Sequence, residues 1–165
     1  MPVSEAAVRG IDLEQRILRG LDLGVDLVAQ RLGRRLGRAA PHLVTGLRGE
    51  EEALFHLRQR GYLILARRWK TPKVLGDVDL IGWDGETLCF IEVKTRTGRD
   101  IVPAEFAVDE KKQKMLRSMA SVYRRRFPEP VRRQIPIRFD VVSVYLAAKD
   151  RSGVEIDLFP GAFDR

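Results

Sequence analysis

The stretch Gly76–Thr95, with the sequence GDVDLIGWDGETLCFIEVKT, decides the fold that this chain is predicted to adopt. Two runs rich in apolar residues, Gly76–Trp83 and Thr87–Thr95, flank the dipeptide Asp84-Gly85. An Asp-Gly dipeptide between two such runs is the strongest short-range signal for a β-hairpin. The stretch therefore predicts two neighbouring antiparallel strands joined by a turn at Asp84-Gly85.

Charged residues alternate with apolar ones along both predicted strands. Because successive strand residues point to opposite faces of a sheet, Asp77 and Asp79 are expected on one face of the first strand. Val78 and Leu80 are then expected on its other face. The charged residues expected to share a face of the second strand are Glu92, Lys94 and Arg96.

The hairpin would bring Asp79 and Glu92 close together, with Lys94 beside them. Aspartate is depleted in strands, and two adjacent carboxylates raise each other's pKa unless a cation lies between them. Mg²⁺ or Mn²⁺, bound through one or two carboxylates and a substrate phosphate, would remove this conflict. Lys94 would then activate the attacking water or neutralise charge on the phosphate. The alternative interpretation is that Glu92 and Lys94 are solvated on an exposed sheet face, with Asp77 an ordinary strand-entry residue.

Further elements are predicted around the hairpin. Glu50, Glu51 and Glu52 are expected in the first turn of a helix, where carboxylates interact favourably with the helix dipole. Asp109 is the predicted cap of a second helix. The fold class is α/β, with a mixed sheet flanked by helices in the order α-β-β-β-α-β. Besides the hairpin, the predicted elements are the helix Gly49–Arg60, the strand Tyr62–Trp69, the helix from Asp109 to about Arg126, the strand Ile137–Leu146 and a short final strand Val154–Leu158.

Residues 1–45 and 46–165 are predicted to form separate parts of the chain. The first part has apolar residues at roughly helical spacing, but glycines interrupt the pattern, each costing ~1 kcal/mol relative to alanine. We expect an Arg-rich extension with one or two marginal amphipathic helices, which end before Pro41 and pack on the domain or on another chain. Homodimer formation through this extension is one hypothesis. The segment Arg31–Arg38 is better explained as a solvated helix face than as a contact with nucleic acid or anionic lipid.

The 165-residue chain has a formal net charge of +7, and one segment carries the excess. Residues 110–138 contain 10 basic and two acidic side chains, whereas residues 46–109 contain 10 basic and 11 acidic ones. Basic side chains are therefore concentrated in the segment that follows the hairpin, which favours a nucleic-acid partner. No apolar run is long enough to span a bilayer, and no signal peptide is recognisable. Cys89 is expected to be a buried thiol, so we expect a cytoplasmic protein without membrane attachment.

The motifs GDVDLI at Gly76–Ile81 and FIEVKTR at Phe90–Arg96 resemble those of the PD-(D/E)XK nuclease superfamily, which has a restriction-endonuclease-like fold. Within it, the chain is similar to the bacterial YraN family, which is largely uncharacterised and related to archaeal Holliday-junction resolvases. The resemblance covers about residues 46–163. It also includes GEEEA at Gly49–Ala53, RGY at Arg60–Tyr62, AVDEKKQ at Ala107–Gln113, RFDVV at Arg138–Val142 and GAF at Gly161–Phe163.

The resemblance implies roles for individual residues. Asp79 and Glu92 match metal ligands, and Lys94 matches a catalytic lysine. Glu50 matches a glutamate that often completes such metal sites. Lys112 matches a basic position at the start of the second helix, suited to a phosphate.

The chain departs from the family pattern at two positions. Asp77 stands where glutamate is usual, and because both are acidic this changes little. Trp69 replaces the asparagine that usually follows the first strand, which weakens any role assigned to that position.

The predicted function is hydrolysis of phosphodiester bonds in DNA by a metal-dependent nuclease, with branched or damaged DNA as candidate substrates. Asp79, Glu92 and Lys94 would be catalytic, and Mg²⁺ or Mn²⁺ would be held by Asp79, Glu92 and Glu50. The alternative is an accessory nucleic-acid-binding protein that keeps the fold but cuts little or not at all. The residues expected to contact nucleic acid are Arg96, Lys111, Lys112, Lys114 and Arg117.

Overall fold

The structure is a computed structural model that describes residues 41–96, 108–146 and 153–163. Residues 1–40 of the predicted N-terminal extension, with the segment Arg31–Arg38, and the loop expected at Gly98–Pro103 lie outside the described residues, so they stay predictions. Within the described ranges, no helix is both long enough and apolar enough to cross a membrane.

A five-stranded mixed sheet forms the centre of the described part of the chain. Its strands lie in sequence order, and each pairs antiparallel with its neighbour except β3 and β4, which run parallel. The prediction of a mixed sheet with flanking helices is confirmed. In chain order the elements are α1 (Pro41–Gln59), β1 (Leu63–Thr71), β2 (Val74–Asp84), β3 (Thr87–Arg96), α2 (Glu110–Arg124), α3 (Glu129–Gln134), β4 (Ile137–Leu146) and β5 (Val154–Phe163).

Two clusters of buried side chains hold the helices to the sheet. In the first, the α2-side cluster, helix α2 packs on Phe90 and Phe139. In the second, the α1-side cluster, helix α1 packs on Leu80 and Ile91. Burying each large apolar side chain contributes roughly 1.5–3 kcal/mol. The helix residues buried in this way are Leu116, Met119, Ala120 and Tyr123 of α2, and Ala53, Leu54 and Leu57 of α1.

Helix α1 spans Pro41–Gln59 and so starts before the predicted Gly49. Glu50, Glu51 and Glu52 therefore lie in the middle of the helix, and the predicted interaction with the helix dipole was wrong. Gly49 is buried where α1 approaches β3. The approach is so close that a Cβ atom at this position would lie 1.8 Å from Oγ1 of Thr95. The absence of a side chain thus lets α1 lie directly on the strand.

The β2–β3 hairpin is confirmed, but its turn is shifted by one residue. Asp84 pairs with Thr87 and so ends β2, which leaves Gly85 and Glu86 as the turn. Gly85 has a φ of 56°, in the left-handed region that tight hairpin turns require and that glycine adopts without strain.

The start of β2 bulges. Regular pairing with β1 is interrupted between Val74 and Val78, and residues 75–77 form the bulge. Gly76 has a φ of 121°, again in the left-handed region. The bulge packs on α2, since a Cβ atom at Gly76 would lie 3.2 Å from Sδ of Met115.

The side chains of β2 do not alternate regularly just after the bulge. Val78 packs in the α2-side cluster, whereas Leu80 packs in the α1-side cluster. A strictly alternating strand would have placed both in one cluster. The predicted alternation, with Asp77 and Asp79 on one face, was therefore wrong at this end of β2.

The second half of the domain follows the sequence more closely. Helix α2 has Asp109 as its N-cap, and β4 has the predicted bounds. Strand β5 is longer than predicted and runs to Phe163. Helix α3 was not predicted, because its six residues include no buried side chain and so give no apolar periodicity.

Candidate metal centre

Strands β2 and β3 separate where their charged residues begin. Backbone pairing between them ends at Leu80 and Ile91. Just beyond, Oδ2 of Asp79 accepts a hydrogen bond of 2.8 Å from the backbone N–H of Val93, in place of a backbone acceptor. Asp79 is thereby held at the opening between the strands, close enough to Glu92 for their charges to interact.

Glu92 is buried, with 4% of its surface exposed, and both of its oxygens face lysines. Nζ of Lys94 lies 3.0 Å from Oε1, and Nζ of Lys112 lies 2.9 Å from Oε2. The second contact is an ion pair without good hydrogen-bond alignment, so within the described residues Oε2 is a buried acceptor without a hydrogen-bond donor. The ammonium groups offset the charge of Glu92 but leave its bonding capacity incompletely used.

Helix α2 brings Lys112 to the site. The Asp109 side chain accepts a hydrogen bond of 2.7 Å from the Lys112 N–H and so fixes the first turn of the helix. Nζ of Lys112 also lies 3.5 Å from the carbonyl oxygen of Asp77. Burial lowers the pKa of Lys112, but attraction to Glu92 and Asp79 outweighs burial and raises it overall, so the ammonium stays charged at neutral pH.

The environment raises the pKa of Asp79 from 3.8 to about 7. Burial is the largest cause, and the negative charge of Glu92 is the next. The hydrogen bond from Val93 and the charge of Lys112 oppose the rise, whereas Glu50 adds to it. At neutral pH this carboxyl group is therefore only partly ionised.

Glu50 lies near this site, but its carboxylate is bound to Arg68. The guanidinium donates two hydrogen bonds, of 2.6 and 2.7 Å, one to each oxygen of Glu50. Arg68 has a φ of 46°, which is uncommon for a residue with a side chain. Glu50 was predicted from its motif, whereas Arg68 was not, and the available signal for Arg68 was an arginine pair inside an otherwise apolar strand.

The five residues predicted to contact nucleic acid have different surroundings. Lys111 and Lys114 are exposed on α2, and Lys112 points into the site instead. Arg117 is partly buried, with its guanidinium 5.5 Å from the centre of an aromatic ring of β5. Arg96 is partly buried at the end of β3.

The acidic groups at the site suit a hard divalent cation. Across residues 41–96, 108–146 and 153–163, no three His, Cys, Asp or Glu side chains are grouped closely enough to hold a metal ion. The site therefore offers a pair, Asp79 and Glu92, while Glu50 is bound to Arg68. Mg²⁺ typically binds proteins through one or two carboxylates and fills its other positions with water and phosphate. The Oε2 atom of Glu92, which has no aligned hydrogen-bond donor within the described residues, and the carboxylate of Asp79 fit such an ion.

A second polar cluster, the Asp140 network, lies at the turn end of the hairpin. Asp140 is fully buried, and its Oδ1 accepts hydrogen bonds from Arg138 at 2.7 Å and from the Gly161 N–H at 2.9 Å. Its Oδ2 accepts hydrogen bonds from the Tyr62 hydroxyl at 3.2 Å and from Arg138 at 3.0 Å. Arg138 also donates to Asp84 at 2.7 Å, so one guanidinium pairs with two carboxylates.

Three sequence motifs meet in the Asp140 network. RGY contributes Tyr62, RFDVV contributes Arg138 and Asp140, and GAF contributes Gly161. Arg138 and Asp140 lie on the same strand, whereas Tyr62, Asp84 and Gly161 come from other parts of the chain. The thiol of Cys89 is buried as predicted, and burial, together with the charge of Asp140, raises its pKa to about 12.

The model of the uncharacterised protein family UPF0102 matches residues 49–144 of this chain. A UPF0102 protein of Koribacter versatilis (strain Ellin345) is 52% identical over 122 residues, which cover 74% of this chain and 80% of the relative. A UPF0102 protein of Solibacter usitatus (strain Ellin6076) is 41% identical over 115 residues, covering 70% and 82%. A UPF0102 protein of Porphyromonas gingivalis (strain W83) is 38% identical over 109 residues, covering 66% and 76%.

The matched segment begins at Gly49, where α1 contacts β3, and includes Asp79, Glu92, Lys94 and Lys112. It also includes Arg138 and Asp140 of the second cluster. The chain therefore belongs to the uncharacterised protein family UPF0102, which confirms the YraN-like resemblance of its motifs.

Proposed function

We propose that this protein is a metal-dependent nuclease that hydrolyses phosphodiester bonds in DNA, on a restriction-endonuclease-like fold. One observation carries the proposal. Asp79 and Glu92 lie where β2 and β3 separate, and the buried Oε2 of Glu92 has an ion pair with Lys112 but no aligned hydrogen-bond donor within the described residues. Fixed acidic groups in that state are stabilised by a divalent cation, and nucleases use such ions.

In the proposed site, Asp79 and Glu92 hold Mg²⁺ or Mn²⁺. When bound, such an ion supplies positive charge to the scissile phosphate and makes water more acidic. Glu50 joins the ligands only by leaving Arg68, to which both of its oxygens are now bound. Lys94, from its place beside Glu92, orients the attacking water or neutralises charge that develops on the phosphate.

The surroundings of the site favour a nucleic-acid substrate. Lys111 and Lys114 are exposed on the same helix that supplies Lys112. Cations of this kind position a phosphate backbone without reading its sequence. Arg96 and Arg117 complete the proposed contact surface. Branched or damaged DNA is the proposed substrate class within this function.

A cleavage panel tests the proposal. Single-stranded, duplex, flap and four-way-junction DNA are incubated with the protein in Mg²⁺, in Mn²⁺ and in chelator. Metal-dependent cleavage is expected, and Asp79→Asn and Glu92→Gln should each abolish it. Glu86→Gln makes a comparable charge change in the exposed hairpin turn and should cleave like the wild type. Cleavage that persists in both site variants would refute the assignment.

A second candidate function is nucleic-acid binding without cleavage. It is favoured by the two lysines that already occupy the oxygens of Glu92, and by the lack of a three-carboxylate group in the described residues. Titration calorimetry with Mn²⁺ separates the two candidates. No heat of metal binding, together with a DNA affinity that chelator leaves unchanged, would favour the binding protein.

A further inference from the structure

Ser143, in the middle of β4, has an unsatisfied hydroxyl group. The residue is fully buried, and within the described residues its Oγ has no hydrogen-bond partner. Buried hydroxyl groups are normally hydrogen-bonded, so each exception needs an explanation. In the sheet, Ser143 stands between Lys94 of β3 and Asp157 of β5.

Ser143 and Lys94 point to the same side of the sheet. In β4, Phe139 and Val141 pack in the α2-side cluster, so by alternation Ser143 faces that side. In β3, Glu92 contacts Lys112 of α2, so Lys94 faces that side as well. Paired residues on neighbouring strands lie about 5 Å apart, which a lysine side chain spans easily.

The two lysines at Glu92 occupy the oxygens that a cation would use. Lys94 lies at Oε1 and Lys112 at Oε2. For a cation to bind, these ammonium groups must exchange Glu92 for water or for another acceptor in the protein. Lys112 already has the carbonyl oxygen of Asp77 at 3.5 Å. For Lys94, the paired residue on the next strand offers an acceptor, the free Oγ of Ser143.

We propose that Lys94 exchanges Glu92 for Ser143 when a divalent cation binds. Ser143 is then a positioning residue, which holds the lysine at the site after Glu92 has been taken by the cation. This inference rests on the proposed metal site. It adds Ser143 as the residue that accepts the Lys94 ammonium group once the cation has bound. Ser143 itself contacts neither the cation nor the substrate.

A double-mutant cycle on Mn²⁺ affinity tests the exchange. Ser143→Ala should weaken Mn²⁺ binding about ten-fold, the size of one hydrogen bond to a charged group. In a Lys94→Met background, where no ammonium needs an acceptor, the same change should have no effect. Ser143→Thr keeps the hydroxyl and should bind Mn²⁺ within about two-fold of the wild type.

The outcomes separate this inference from the proposed function. Equal weakening by Ser143→Ala in both backgrounds would give Ser143 a merely structural role and overturn the exchange alone. No Mn²⁺ binding by the wild type would overturn the metal site and the exchange together. If Ser143→Ala fails to fold, NMR of the wild-type protein labelled with ¹⁵N-lysine tests the exchange instead. The Lys94 resonance is assigned as the one that is missing in Lys94→Met. Saturating Mg²⁺ should shift the Lys94 ammonium resonance, and an unmoved resonance would overturn the exchange.

Discussion

The two polar clusters of this sheet bury acidic residues to a similar degree but satisfy them differently. Asp140 accepts hydrogen bonds from Arg138, Tyr62 and Gly161. Glu92 has two ammonium groups nearby, yet its Oε2 lacks a hydrogen-bond donor within the described residues. One carboxylate is therefore fully bonded by the protein, and the other keeps capacity for a ligand.

This difference separates the Asp140 network, with a structural role, from the cluster proposed to be functional. A fully paired buried charge ties elements together, and the Asp140 network joins the start of β1 to β2, β4 and β5. An incompletely paired cluster lowers the stability of the folded protein, and a bound ion can restore that stability. Burial and charge alone would not distinguish the Asp140 network from the cluster around Glu92. The number of hydrogen-bond donors to each buried carboxylate distinguishes them.

Removing Arg138 should have the largest effect on stability. Arg138→Leu leaves Asp140 buried without its cation, and we expect a loss of about 3–5 kcal/mol in the free energy of unfolding. Urea denaturation measures it. Arg133→Leu removes an exposed arginine of α3 and should cost below about 1 kcal/mol. A loss from Arg138→Leu as small as that of this control would contradict a structural role for the network.

Neutralising Glu92 should affect cleavage strongly and stability only slightly, in contrast to the large loss of stability expected for Arg138→Leu. Glu92→Gln removes a proposed metal ligand, so we expect cleavage to fall at least about a hundred-fold. The free energy of unfolding should change by less than about 1 kcal/mol, because the end of the repulsion between the two carboxylates offsets the loss of the ion pairs with Lys94 and Lys112. Cleavage assays and urea denaturation on the same preparation measure both. A large destabilisation with unchanged cleavage would reverse the assignment of the two clusters.

Gly49 tests whether the close approach of α1 to β3 matters for the fold. Gly49→Ala would place Cβ against Thr95 and should destabilise the protein by about 1–3 kcal/mol, despite the better helix propensity of alanine. Gly46→Ala lies in the same helix with no atom within 4 Å, and should stabilise by up to about 1 kcal/mol. Thermal denaturation of both variants measures the difference. If both substitutions stabilised the protein, the contact between Gly49 and Thr95 would leave room for a Cβ atom.

The ionisation of Asp79 should appear as a pH dependence of stability. Because its pKa is raised from 3.8 to about 7, the folded protein keeps a proton there that the unfolded chain releases. Stability from this group is therefore full below about pH 4 and declines as the pH rises to about 7. Asp79→Asn removes the ionisation and keeps an acceptor for the Val93 N–H. At pH 8 it should exceed the wild type by about 1 kcal/mol or more.

Urea denaturation of wild type and Asp79→Asn at pH 5 and pH 8 measures this dependence. Adding Mg²⁺ at pH 8 should stabilise the wild type and narrow the gap to the variant, because a cation compensates the ionised pair. The same pH dependence in both proteins would assign it to another group.

The exposed lysines should have the smallest effect. Lys111→Gln and Lys114→Gln should each weaken DNA binding a few-fold and reduce its salt dependence by about one phosphate contact. Fluorescence anisotropy across a salt series measures both quantities. Arg58→Gln neutralises an exposed cation of α1 and serves as the control. An equal loss in all three variants would indicate attraction by net charge rather than a defined contact surface.

Local patterns predicted the parts of the fold that depend on neighbours in sequence. The Asp-Gly pair and the apolar runs predicted the β2–β3 hairpin, and the cap at Asp109 predicted the start of α2. The bulge of residues 75–77 was not predictable in this way, because it depends on packing against Met115 from a distant helix. Helix α3 was missed because no apolar side chain of it is buried.

The candidate site was predicted in its carboxylates but not in their bonding. The motif spacing brought Asp79, Glu92 and Lys94 together. The position of Lys112 at Oε2 depends on where α2 crosses the sheet, and the binding of Glu50 by Arg68 depends on an unusual backbone conformation. Both are tertiary features, for which strand alternation and helical periodicity give no signal.

The parallel pairing of β3 with β4 also determines when the site can be completed during folding. Strands β1, β2 and β3 are joined by short turns, and such local contacts form early. A parallel pair needs a crossover connection, and α2 with Lys112 belongs to it. We therefore expect Asp79 and Glu92 to become neighbours before Lys112 reaches them, so Mg²⁺ should accelerate refolding in a stopped-flow experiment. An unchanged refolding rate would contradict this order of assembly, in which the two carboxylates of the proposed metal centre meet before Lys112 joins them.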